Sequence, residues 1–218
     1  MSFFSQKSVL KRRAMPKSTT GFTLVELMVV VAIFAILTTI ILYKNSDFNN
    51  SFLLTDAAYD VALTVREAQV YGINVKSTGK GAANQYFNSG YGIYLDTTGT
   101  YPNTLVFFAD AFTSPSVSAG NYTYDGQSEF ITAFALNRGY TISQFCAKPS
   151  IGQERCSTTP DAPLNRLAIV FVRPNPDAKI TDSGGGTEYS SATITITSPD
   201  GTKSKTVRIT TAGQISIN

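Results

Sequence analysis

Apolar residues run almost unbroken from position 22 to position 43 (FTLVELMVVVAIFAILTTIILY), with one charge among them, Glu26. A helix of that length rises about 33 Å, enough to cross the hydrocarbon core of a bilayer. The pattern therefore predicts a membrane-crossing helix. A polar stretch follows, Asn45-Ser46-Asp47 and Asn49-Asn50-Ser51, whose short side chains compete for backbone hydrogen bonds and mark where a long helix would loosen. Beyond it Leu54, Ala58, Val61, Val65 and Ala68 recur at spacings of four and three, while Asp56, Asp60, Thr64 and Glu67 fall mostly elsewhere. That is the stripe of an amphipathic helix, with Gly72 as its expected stop. The two segments joined make a helix of about 50 residues and 75 Å; two separate helices fit the same pattern.

After Gly72 the period changes to two. Residues 91–96, 104–109, 130–136, 167–172, 192–197, 206–210 and 214–217 read as strands. Asp200-Gly201 and Ala212-Gly213 sit between strand-like runs as hairpin turns. The expected fold class is α+β: a long N-terminal helix, half membrane-crossing and half amphipathic, packed on a mostly antiparallel sheet head. The segment 174–191 is rich in Pro, Gly and Asp, with Asp177, Asp182 and Glu188 as its acids. It lacks a compact alternating Asp/Asn motif, so it reads as a solvated loop rather than a calcium site.

Charge changes the picture at the N-terminus. Of the 18 cations, Lys7, Lys11, Arg12, Arg13 and Lys17 precede Gly21 with no acid among them, which leaves 13 cations against 15 acids, a net charge of −2, for the rest of the chain. Cations before the apolar run and none inside it place the N-terminus in the cytoplasm and the remainder outside. The later cations form no dense run, so nucleic acid is not an expected partner. The chain has no histidine, which removes the commonest general base and transition-metal ligand. With no nucleophile elbow or Gly-rich phosphate loop either, an enzyme is not expected, nor a cofactor or metal. Cys146 and Cys156 are the two cysteines; in an exported domain they are expected to close a small loop as a disulfide, unrelated thiols being the alternative.

A secretory signal peptide would have a shorter apolar core and small residues at its cleavage site. An ordinary membrane anchor has no use for a carboxylate in the run, where burial at the membrane centre costs about 2.5 to 3.5 kcal/mol. The string Gly21-Phe22-Thr23-Leu24-Val25-Glu26-Leu27 behind a short basic leader resembles the cleavage and methylation motif of type IV prepilins and type II secretion pseudopilins. The resemblance implies that a membrane-embedded prepilin peptidase cuts between Gly21 and Phe22 and N-methylates Phe22. It also implies that Glu26, fifth residue of the mature chain, attracts the N-terminal amine of a neighbouring subunit. Physics supports that pairing, because a lone carboxylate and a lone ammonium in an apolar fibre core are each costly and together relieve one another. The plainer alternative is an interfacial Glu reaching for headgroups. Tyr43 stands where many members of the family have a proline, so no proline kink is expected.

The head resembles the family too. LNRGYTIS at 136–143, IVFVRP at 169–174, then TITIT and VRITTAGQISI near the end, are similar in order to the head of the minor pseudopilin H type. The resulting plan is a leader at 1–21, a membrane and filament-core helix at 22–43, its amphipathic continuation at 44–72 and a β-rich head at 73–218. The expected function is a pilin or pseudopilin subunit. Its expected partners are other such subunits, prepilin peptidase, an inner-membrane assembly platform and, before assembly, membrane lipid. The expected location is the inner membrane and then an external filament; an adhesive or DNA-binding filament tip is the alternative.

Overall fold

A computed structural model describes residues 21–74, 89–100, 104–110, 120–126, 128–182 and 188–218, with the side chains of 43–49 left aside. The expected leader lies outside these residues except for Gly21. One helix, α1 (Leu24–Ile73), is followed by ten strands. They are β1 (Gly90–Asp96), β2 (Leu105–Asp110), β3 (Phe130–Phe134), β4 (Thr141–Pro149), β5 (Arg155–Cys156), β6 (Arg166–Phe171), β7 (Ala178–Thr181), β8 (Tyr189–Thr197), β9 (Ser204–Thr210) and β10 (Ile215–Ile217). The chain divides into two compact bodies, one ending at Ser46 and one from Asp47 to Asn218.

In the first body every described side chain from Gly21 to Leu42 is exposed, and Leu24–Leu42 is long and apolar enough to cross a membrane. The two hydroxyls in mid-segment are satisfied within the helix, Thr38 donating to the Phe34 carbonyl at 2.7 Å and Thr39 to that of Ala35 at 2.8 Å. No polar group there asks for water.

The second body is an α+β head. Its strands form two five-stranded sheets, ordered β3-β2-β1-β6-β7 and β10-β9-β8-β4-β5, and every strand pairing is antiparallel. The predicted helical stripe of Leu54, Ala58, Val61, Val65 and Ala68 is buried throughout and joins Tyr91, Phe107, Phe145, Phe171 and Ile194 in the main core. Burying Leu54, Val61 and Val65 stabilises the head by roughly 1.5 to 3 kcal/mol each, so this stripe outweighs the few polar contacts along the helix. A second cluster, Tyr94, Val106, Phe108, Ala168 and Val170, lies apart from that core, and Tyr122 and Tyr124 pack against it. β1 and β2 are consequently buried at every position.

Two polar anchors fix the helix in the head. Near its start, the Tyr140 hydroxyl donates to the Asn50 carbonyl at 3.2 Å, Lys203 donates to Ser51 at 2.7 Å, and Asn50 donates to Asp200 at 3.4 Å. Near its end, buried Gln69 donates to the Pro176 carbonyl at 2.9 Å and to the Gly213 carbonyl at 3.0 Å, while accepting from Arg66. Gly213 has φ +75°, and a Cβ there would strike the Pro176 carbonyl oxygen and the Gln69 amide. Glycine is required at that turn for space and for conformation.

Several expectations change. The helix ends at Ile73, one residue past the expected stop at Gly72; a Cβ on Gly72 would collide with the Phe171 carbonyl, so its glycine also serves a close helix–strand approach. The backbone stays helical through the polar stretch at 45–51, where Asn50 and Ser51 are engaged by Asp200, Tyr140 and Lys203, and the boundary between the two bodies falls within that stretch. The strand expected at 130–136 ends at Phe134, ahead of a turn with Arg138 at φ +59° and Gly139 at φ +78°. The segment 174–191 is not simply a solvated loop. It contains β7, whose Ala178, Ile180 and Thr181 are buried, and the start of β8.

Candidate functional site

The N-terminal candidates sit at the very start of α1. Gly21 and Phe22 precede the helix, Phe22 being 81% exposed. Thr23 is the cap: its carbonyl accepts from the Leu27 N–H at 3.1 Å and its hydroxyl oxygen from the Glu26 N–H at 3.2 Å. Thr23-Leu24-Val25-Glu26 has the spacing of a capping box, a signal present in the sequence that the motif reading had not used. Glu26 thereby falls in the first turn, where the helix dipole favours a carboxylate. Its side chain is exposed and forms no ion pair among the described residues. The arrangement presents one carboxylate on an otherwise apolar rod, a few residues from the proposed new N-terminus. Next to it Leu27, Met28 and Val31 surround a shallow notch left by Ala32 and Ala35.

Cys146 and Cys156 form a disulfide, directly opposite one another across β4 and β5. The short strand is held on both sides of the bridge, by Ser157 N–H to the Phe145 carbonyl at 2.8 Å and Leu164 N–H to the Cys156 carbonyl at 3.0 Å. Glu154 places a carboxylate oxygen within 4.8 Å of both sulfurs, but bonded sulfurs offer no thiolate to a metal.

The acids of 174–191 do not converge on a common centre. Glu188 accepts from Lys179 at 3.3 Å, and Asp182 pairs with Arg155 at 3.6 Å while accepting from the Tyr189 hydroxyl at 3.2 Å. Two of the three are thus engaged with cations, which opposes a shared calcium ion.

Two acids elsewhere have shifted chemistry. Burial pushes Asp96 up, but the Thr98 N–H, the Tyr94 and Thr98 hydroxyls and Arg166 outweigh it and hold the carboxyl below its ordinary range. Arg166 Nε stands 3.3 Å away. The group is a satisfied brace at the facing ends of β1 and β6. Burial raises Asp110 to about 6, against the lowering effect of the Tyr122 and Asn121 N–H groups and with help from Asp125. Asp110 holds the segment 120–126 through the Tyr122 N–H at 3.1 Å.

A further surface was legible but unread. Phe52, Tyr59, Leu63 and Val70 are all exposed, and at 100° per residue they lie within about 20° of one line. They form a second apolar stripe, on the side of the helix opposite the buried one.

Residues 16–42 match the family model for the prokaryotic N-terminal methylation motif. The match supports the prepilin and pseudopilin family; it ends before the head and so does not single out the minor pseudopilin H type. Comparison with curated proteins and with solved structures returned no match.

Proposed function

We propose that this chain, which carries a prepilin-type N-terminal methylation motif, is a structural subunit of a type IV pilus-like or type II secretion filament. The observation that carries the reading is the motif set on a wholly exposed apolar first segment of α1, Leu24–Leu42, whose only charge is Glu26. Such a surface must be covered by lipid before assembly and by other helices after it, because apolar side chains and a lone carboxylate are both costly to leave as they stand. The exposed stripe of the head helix supports the same reading, since a monomer in water gains nothing by displaying it. In this account prepilin peptidase cuts between Gly21 and Phe22 and methylates Phe22, and an inner-membrane platform extracts the subunit. Glu26 then meets the N-terminal amine of a neighbouring subunit and sets the register.

Mass spectrometry of the mature protein tests this. The expected first residue is N-methyl-Phe22, and a bulky residue at Gly21 is expected to leave an uncut, membrane-held precursor. A mature chain starting anywhere else would sink the assignment.

A further inference from the structure

We infer that the groove between the head helix and β10 receives the acidic flank of the head helix of a second copy of this chain. The inference rests on the filament reading above and names a contact within it. The groove encloses about 450 Å³ and is lined by Tyr59, Ala62, Leu63 and Arg66 of the helix and by Ile215 and Ile217 of the edge strand. Gln214 also lines it, and its one charged side chain is Arg66, which donates to Gln69 and stands on the groove side of the exposed stripe. By helical position Asp56, Asp60 and Glu67 fall on the other side of that stripe, and Arg138 of the neighbouring turn lines the same hollow as Asp56 and Asp60. Among the described residues none of these five charges is in an ion pair.

That arrangement decides the geometry of docking. Two copies with parallel helices meeting stripe to stripe about a two-fold axis would set both acidic flanks against both Arg66 side chains and close as a dimer, whereas a one-flank offset makes one such pairing per contact and, on the filament reading, is the arrangement that can grow. The contact is then head-to-tail, joins different patches and leaves a free groove at one end and a free acidic flank at the other, as open growth requires. The acids also set the stagger. Placing Glu67 of the second copy level with Arg66 gives almost no axial offset and a flat ring. Placing Asp60 there shifts the copies by about 9 Å at 1.5 Å per residue. It also brings Phe52 of the second copy within one residue of Tyr59, at the mouth of the groove. The fibre geometry is therefore assigned to the Arg66–Asp60 pairing.

Charge reversal tests it in cells that assemble the wild-type chain. Arg66→Glu and Asp60→Arg should each lower recovery in sheared filaments by about tenfold, and the double variant should recover most of the loss. Glu67→Arg should have a much smaller effect. Phe52→Cys with Tyr59→Cys should, on oxidation of intact filaments, give a ladder of cross-linked multimers, a readout that does not depend on the stability of the reversed variants. Single reversals that assemble like wild type, or a ladder that stops at monomer in filaments containing the protein, overturn the contact while leaving the filament reading intact. Absence of the cleaved wild-type chain from filaments overturns both.

Discussion

Asp110 is a carboxyl group with two conflicting demands on it. It is almost fully buried, which favours the neutral acid, yet it accepts N–H groups from the segment 120–126, which favours the anion. Burial wins and the group titrates at about 6. Because the folded value lies above the ordinary carboxyl value, the folded state binds this proton more tightly than the unfolded chain. Its contribution to stability is therefore complete below about pH 4 and is lost as pH rises through about 6. The expected outcome is that Asp110→Asn removes a component of the pH dependence of unfolding between pH 7.5 and 5, a window in which wild type gains stability from this group on acidification. Thermal melts of the detergent-solubilised chain measure it, and parallel profiles for the two proteins would count against the assignment. Asp110 was not legible in advance, because its burial depends on β2 pairing with both β1 and β3 and on an irregular segment crossing over it.

At the level of elements, the hairpin of β4 and β5 shows what a short strand needs. β5 has only two residues, too few hydrogen bonds to define a strand alone, and the disulfide supplies the constraint. Closing a loop of this size stabilises by about 2 to 3 kcal/mol, largely by restricting the unfolded chain. Cys146→Ser should lower the stability of the oxidised, exported protein by that amount in denaturant titration while leaving cleavage at Gly21 unchanged. An unaltered midpoint would show that the strand is held by its neighbours alone. The sequence pattern revealed elements in proportion to their length and regularity. The helical stripe, the β1, β2 and β6 runs and the Asp200-Gly201 hairpin were readable because apolar spacing or turn chemistry repeats there. β7 was hidden because its four residues lie between Pro176 and a glycine run, although Ala178 and Ile180 already showed the alternation. β4 was only partly visible, since Gln144, Lys148 and Pro149 interrupt its pattern and its burial comes from lying beside β8.

For the whole molecule, the division of labour is what the sequence disclosed best: an apolar rod with one carboxylate, followed by a head that carries its own core. Gly21, Phe22 and Glu26 could be read as a candidate site because they lie within six positions of one another, whereas the groove beside β10 needed residues separated by about 150 positions to meet. Glu26→Ala is expected to leave membrane insertion and folding of the head intact, since the span becomes more apolar and the core lies elsewhere. It should deplete the chain from filaments, because an uncompensated amine would then be buried at each junction. Equal recovery of the cleaved variant and wild type in the sheared fraction would exclude a register-setting role. The two anchors of the head helix also carry a mechanical consequence. Asn50 and Ser51 at one end and Gln69 at the other lie about 28 Å apart along the axis. A pull entering the head at Asp47 is met first by single side-chain bonds to Tyr140, Asp200 and Lys203, which can release one after another. The apolar stripe behind them must slide as a unit, and Gln69 is reached last. Under tension the head is therefore compliant at its entry and stiff behind it, shedding small loads through a few re-formable bonds before its core is strained.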